Sequence, residues 1–141
     1  MTHQLYPCLW FDGQAKAAAD FYCSIFPDSK ICSENPMVVI FQINGSKFMG
    51  LNGGPMFQFN EATSFVIPCD TQEEIDFYWN ALTADGGMES MCGWLKDKFG
   101  FSWQVIPSFI DKIMSDPDKG AKSMQAMMQM KKLDIDKLLN P

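Results

Sequence analysis

Few side chains in this 141-residue sequence have the chemistry for catalysis: one histidine, five cysteines, no arginine and a scatter of carboxylates. The histidine, His3, stands beside the N-terminus, so most of the chain lacks the commonest general base and metal ligand. Without arginine there is no bidentate clamp for phosphate or carboxylate, and a ligand must be neutral or be held by lysine and backbone N–H groups. Cys8, Cys23, Cys32, Cys69 and Cys92 form an odd set with no C-x-x-C pair, which fits reduced thiols better than a disulfide framework. A reactive thiol needs a nearby cation or helix N-terminus. Cys92, next to Gly93 and near Lys96, comes nearest to that, while Cys8 and Cys69 read as small buried core residues. Glu89 is the one carboxylate on a strand expected to border a pocket, hence the one candidate base, though an exposed strand edge explains it better. Asp12 and Asp70 end strands just before helices, where capping accounts for them.

The remaining polar residue of interest is an amide. In FGFSWQVIP, residues 99–107, Phe101, Trp103 and Val105 share one face of a strand and Ser102, Gln104 and Ile106 the other. Gln104 is either a buried amide bonded to a neighbour or a group that orients a ligand in an apolar pocket.

These residues must be positioned by a folded globule: 47% of the chain is apolar and 13% aromatic, enough for one domain with a core. The net charge of −6 argues against a nucleic-acid partner. No apolar run is long enough to cross a bilayer and no leader pattern precedes the first strand, so the expected location is the cytoplasm, away from membranes.

The element pattern occurs twice. LYPCLWF, residues 5–11, reads as a strand, followed by a helix whose apolar stripe is Ala18, Phe21, Tyr22 and Ile25 and which Pro27 stops. From Thr63 a second strand leads to a helix capped by Thr71 with Glu74, striped by Ile75, Tyr78, Trp79 and Leu82, and ended by Gly86-Gly87. The segments superpose without a gap, Pro7 on Ser64, Leu9 on Val66, Asp12 on Cys69 and Asp28 on Asp85, and a repeat of this kind determines the fold. A hairpin turning at Asn44-Gly45 follows the first helix. A second, turning near Asp97–Gly100, follows the other, which aligns Met49 with Gln104. Alternation then puts Leu9, Phe11, Met49, Leu51, Val66 and Gln104 on the pocket side, with Cys8, Trp10, Phe48, Phe65, Ile67 and Trp103 beneath the helices. Trp94 is either core or pocket wall. The tail is helical, with a capping-box pattern at Ser108/Asp111, an N-cap pattern at Asp116-Pro117 and methionines 124, 127 and 128 at packing-face spacing.

The strings PCLWFDGQAKAAADFYCSIFPDSKI, FMGLNGGP, CGWLKDKFGFSWQVIP and the SDPD…AMMQMKKLDI tail resemble the PhnB-like group, also labelled demethylubiquinone methyltransferase-like, of the vicinal oxygen chelate (glyoxalase-like) superfamily. The resemblance covers essentially the whole chain. It implies an α+β fold of duplicated βαβββ modules forming a curled mixed sheet around a shared hollow. A single domain of residues 1–107, with modules of about 1–60 and 61–107, would carry a helical extension over 108–141. Between Lys30 and Met37 the chain has only ICSENP where the family carries a longer loop, so the second strand is expected to be short or missing. Metal-dependent members place His and Glu ligands on the first and last strand of each module. Carried over by motif, those positions are Pro7, Met49, Ser64 and Gln104, which include no good ligand for a hard divalent ion. The methyltransferase label is not matched by a glycine-rich turn opening a helix; NGGP at 52–55 has no helical pattern after it.

The expected function is therefore metal-free and cofactor-free binding of a small apolar or neutral molecule. Its walls would be Leu9, Phe11, Met49, Leu51, Ser64, Val66, Cys92, Trp94 and Gln104, in a homodimer of the kind superfamily members often form. The alternatives are a superfamily enzyme (lyase, isomerase or dioxygenase type) with Glu89 as base or with unseen metal ligands, and a dimeric scaffold with a filled interior.

Overall fold

A computed structural model describes residues 3–141. The chain forms two compact units, Met1–Phe59 and Asn60–Pro141, and each repeats one order of elements. In the first, β1 (Cys8–Phe11), α1 (Ala15–Ile25), β2 (Lys30–Glu34), β3 (Val38–Ile43) and β4 (Ser46–Asn52) form an open mixed sheet in the order β1-β4-β3-β2. In the second, β5 (Ser64–Cys69), α2 (Gln72–Thr83), β6 (Met88–Glu89), β7 (Trp94–Lys96) and β8 (Ser102–Pro107) form another, in the order β5-β8-β7-β6. The first and last strands of each unit run parallel; the remaining neighbours are antiparallel. The fold is thus α+β with a duplicated βαβββ plan, each module forming its own open four-stranded sheet.

Local signals account for most boundaries. Asn44 and Gly45 both take positive φ, 52° and 78°, as a two-residue hairpin turn demands. Thr71 Oγ1 accepts from the Glu74 N–H at 3.2 Å, and Glu74 reaches back to the Asp70 N–H at 3.1 Å. β2 is present and, at five residues, is longer than β1, β6 and β7, so it is neither missing nor unusually short. Cys32 bulges out of its pairing to β3 between Ile31↔Phe41 and Ser33↔Ile40, which bends the strand locally.

The internal repeat is not gapless. The helices align as the sequence suggests: Ala18 and Ile75 are both fully buried, and Asp28 and Asp85 both take positive φ. The strands before them do not. Cys8 pairs with Met49, whereas Val66 pairs with Gln104, so β1 matches β5 one residue later than counting predicts. Three residues, Asp12, Gly13 and Gln14, join β1 to α1, against two, Asp70 and Thr71, between β5 and α2. Gly13, at φ 80°, absorbs the extra residue, which L side chains would resist. A slip of one residue exchanges the faces of a strand. Leu9 and Phe11 are accordingly buried at 4% and 3% exposure, and Phe11 and Ala15 of α1 both approach Gly50. Their expected place on the pocket side is taken by Cys8 and Trp10, so Cys8 is exposed rather than a core residue. Phe48, Ile67 and Trp103 keep the helix-facing phase assigned to them.

Two expected caps are also replaced. Asp12 does not cap α1; Asn52 at the end of β4 does, accepting from the Ala15 N–H at 2.9 Å. Ser108 does not cap α3 (Ile110–Met114), which has no side-chain cap; its hydroxyl donates to Asp70 at 2.5 Å. Asp116 does organise the turn into α4 (Gly120–Met127), accepting from Asp118 and Lys119. With α5 (Ile135–Leu139), these helices enclose Ile113, Leu133 and Leu138, against which Met127 and Met130 pack. Met124 and Met128 instead face outward, at 42% and 58% exposure. The segment 108–141 lies within the second unit. Gln72 bonds both Leu133 and Ile135, and Cys92 and Gly93 donate to Met130 and Lys131.

Candidate functional site

In the second unit β8 carries the site. Its buried face holds Trp103 and Val105, and the carboxylate of Asp97 orients the hairpin that starts it. Asp97, 2% exposed, accepts from the Phe99 and Phe101 N–H groups and from Trp103 Nε1 at 2.9, 3.1 and 2.8 Å. Three donors offset the cost of burying that charge. Gly100, at φ 87°, allows the chain to turn around it.

Strand alternation then sets the other face. Ser64, Ser102 and Lys96 lie in one row across β5, β8 and β7; Val66, Gln104 and Trp94 form the next. Gln104 Nε2 donates to Ser64 Oγ at 2.9 Å, so the amide is half-buried and partnered. Val66 is 50% exposed.

Beside this grid a cavity of about 210 Å3 is lined by Glu61, Met88, Glu89, Ser90, Trp94, Leu95, Lys96 and Ser102. Lys96 forms an ion pair with Glu61, and the hydrogen bond from Lys96 holds the Glu61 carboxyl below its ordinary range. Glu89 accepts from the indole N–H of Trp79 on α2 at 2.8 Å. Ser102 is 1% exposed, and its hydroxyl is the one buried side-chain polar atom without a hydrogen-bond partner among the described residues.

Of the residues expected at the site, Trp94 and Glu89 line this cavity, and Ser64, Val66 and Gln104 share the adjoining face. Cys92, at φ 61° and half-buried, stands apart and ties the tail to β7. In the first unit Met49 and Leu51 share a face with Cys8 and Trp10, opposite Leu9 and Phe11. Trp10 Nε1 donates to Gly54 O at 2.8 Å and Phe57 packs edge-on against its ring. Pro7 lies next to Met49, whose N–H donates to its carbonyl at 3.0 Å. His3 lines a separate open groove with Gln4–Pro7 and Gly45–Phe48.

Sequence reasoning missed Ser102, Lys96 and Glu61. Ser102 was within reach, two residues before Gln104 on the same face, and the hairpin register adds Lys96 across from it. Glu61 lies in a connection between elements, where no periodicity points to it.

A divalent ion of the sort held by metal-dependent glyoxalase-like proteins does not suit these residues. In the first unit Met49 and Cys8 offer soft sulfur, and in the second Ser64 and Gln104 offer neutral oxygen; neither pair supplies the imidazoles and carboxylates such an ion takes. No three His, Cys, Asp or Glu side chains converge among the described residues. The NGGP turn is also spent internally: the Gly53 and Gly54 N–H groups both donate to Phe11 O, at 2.9 and 3.3 Å. No helix among the described residues is long and apolar enough to cross a membrane.

The family model described as 3-demethylubiquinone-9 3-methyltransferase matches residues 3–106. A PhnB protein from Bacillus cereus is 31% identical over 74% of this chain and 99% of its own, with a TM-score of 0.66. A glyoxalase-related enzyme from Fulvimarina pelagi shares 16% identity over 74% of this chain and 87% of its own, with a TM-score of 0.53. A fosfomycin resistance protein from Listeria monocytogenes, whose crystals hold Mn(II) and sulfate, shares 13% over 88% and 98%, with a TM-score of 0.58. The last two are likenesses of fold. No curated protein matches.

Proposed function

This chain belongs to the PhnB-like family described as 3-demethylubiquinone-9 3-methyltransferase, and from that premise we propose that it is a metal-free protein that binds a small neutral or apolar molecule. The observation that carries this reading is the grid on the open face of the second sheet. There a neutral amide, Gln104, held by Ser64, stands beside Trp94 and a cavity of about 210 Å3. A few placed polar groups in an apolar wall are what a small-ligand site needs. Gln104, Ser64 and Trp94 bring no imidazole or carboxylate, and Glu61 and Glu89 in the cavity are engaged by Lys96 and Trp79, which favours a metal-free site. The Gly53 and Gly54 N–H groups are both taken by Phe11 O, which leaves no such pair for a phosphate-bearing cofactor. Methyl transfer therefore gains no support beyond the family's description. Glu89 is engaged by Trp79, which supports a packing role over proton transfer.

We place the protein in the cytoplasm as a homodimer. Five free thiols support the first. The adjacent exposed side chains of Met56 and Phe57, at 77% and 58%, supply apolar surface for the second. Native mass spectrometry of freshly purified protein tests the reading. A dimer mass with a small organic adduct and no metal is expected; one tightly held divalent ion per chain would overturn it.

A further inference from the structure

A buried hydroxyl with no partner is rare in native proteins, because its desolvation is not compensated. Ser102 is such a group, and it borders a cavity. Lys96 lies directly across from it on β7, so a hydroxyl and an ammonium, both hydrogen donors, stand side by side on one face. The ammonium has its acceptor in Glu61; the hydroxyl lacks one. The charges at the rim restrict who can bring it: Lys96 is positive, Glu61 and Glu89 are negative, and Lys96 is already paired with Glu61. An anion would displace Glu61 and meet two carboxylates, while a cation would face Lys96. A neutral molecule meets neither penalty. Size narrows the class further. A cavity of roughly 150 Å3 takes benzene, so about 210 Å3 suits one substituted ring, with Trp94 as its flat wall.

We infer that this cavity seats an uncharged, single-ring-sized compound that presents a carbonyl-type oxygen to the Ser102 hydroxyl and lies against Trp94. The inference rests on the small-molecule reading above and narrows it to one seat and one ligand chemistry.

Four probes of one shape isolate the chemistry: benzamide, benzoate, benzylammonium and toluene, each titrated while the indole N–H signals are followed by NMR. The indoles of Trp10, Trp79 and Trp103 donate to Gly54 O, Glu89 and Asp97, so the Trp94 signal, assigned with Trp94→Phe, is the local reporter. Benzamide is expected to bind tightest and to move that signal. Ser102→Ala, which removes an unpartnered hydroxyl and should leave the fold intact, is expected to weaken benzamide about three- to tenfold and leave toluene unchanged. Tighter binding of benzoate or benzylammonium, an unaffected Ser102→Ala, or no shift at Trp94 would overturn the inference. The broader reading fails separately. If benzamide moves the Gln104 side-chain amide but not Trp94, and the copurified adduct survives in Ser102→Ala, binding stands and only this seat is wrong. If no probe binds and no adduct copurifies, both fall.

Discussion

Cys69 shows how environment decides what a thiol can do. It is fully buried at the end of β5, and burial, with smaller contributions from the Glu74 and Asp70 carboxylates, pushes its thiol from 9.0 up to about 12. Thiolate, the reactive form, is then scarce at neutral pH. In the native protein at pH 8, iodoacetamide is expected to modify the exposed Cys32 and to spare Cys69 until urea unfolds the chain, as peptide mass mapping would reveal. The folded chain also holds this proton more tightly than the unfolded one. Its stabilising effect is complete below pH 9 and fades as pH rises through about 12. Urea midpoints should fall less steeply over that alkaline range in Cys69→Ala; parallel profiles would refute the assignment. Asp97 is the opposite case. Its buried carboxylate is tolerated because three donors surround it, and in the sequence it looked like a turn residue and no more.

Among the elements, what was legible depended on whether the signal was local. The Asn44-Gly45 turn, the Thr71 cap and the alternation of β8 could all be read because their causes lie within a few residues. The cap of α1 could not, since it comes from Asn52, 37 residues away. The face of β1 was misjudged because one glycine in the β1–α1 connection shifts its phase, and nothing in Leu9 or Phe11 themselves records that shift. Asn52 also donates to Pro36 O at 3.0 Å, so it ties β4 to both α1 and the β2–β3 connection. Asn52→Ala is expected to lower stability by about 1 kcal/mol, the usual cost of losing a helix N-cap. Asn52→Asp, which keeps the acceptor and adds a favourable charge at the helix start, should recover most of it. Urea denaturation reads both, and an unchanged Asn52→Ala would remove Asn52 from its capping role.

At the scale of the whole chain, the two units differ in how they are closed. The second draws residues 108–141 onto its sheet and helix. Leu133, with no exposed surface, packs against Gly93, where an added Cβ would approach it within 3.2 Å, and its carbonyl is held by Gln72. Leu133→Ala is expected to cost about 2–5 kcal/mol, the range for emptying a buried leucine site. It should also make the stretch around Met130–Asp134 the first point of limited proteolysis. A variant that unfolds and is cut like the parent would show the tail to be loosely attached. The candidate site was half legible on the same grounds. Its amide row follows from alternation in one strand, whereas its charged rim needs a connection, at Glu61, brought up to a hairpin by tertiary structure.

The unequal connections before α1 and α2 bear on anyone who would build chimeras from the two modules. A graft that replaces β5 with its counterpart by residue count would set Leu9 where Val66 meets solvent and Asp12 where Cys69 is enclosed. Transplanted together with its own Asp12–Gln14 bridge, the same strand would present Cys8 outward and Phe11 inward, so the interchangeable part is the strand with its linker, not the strand alone.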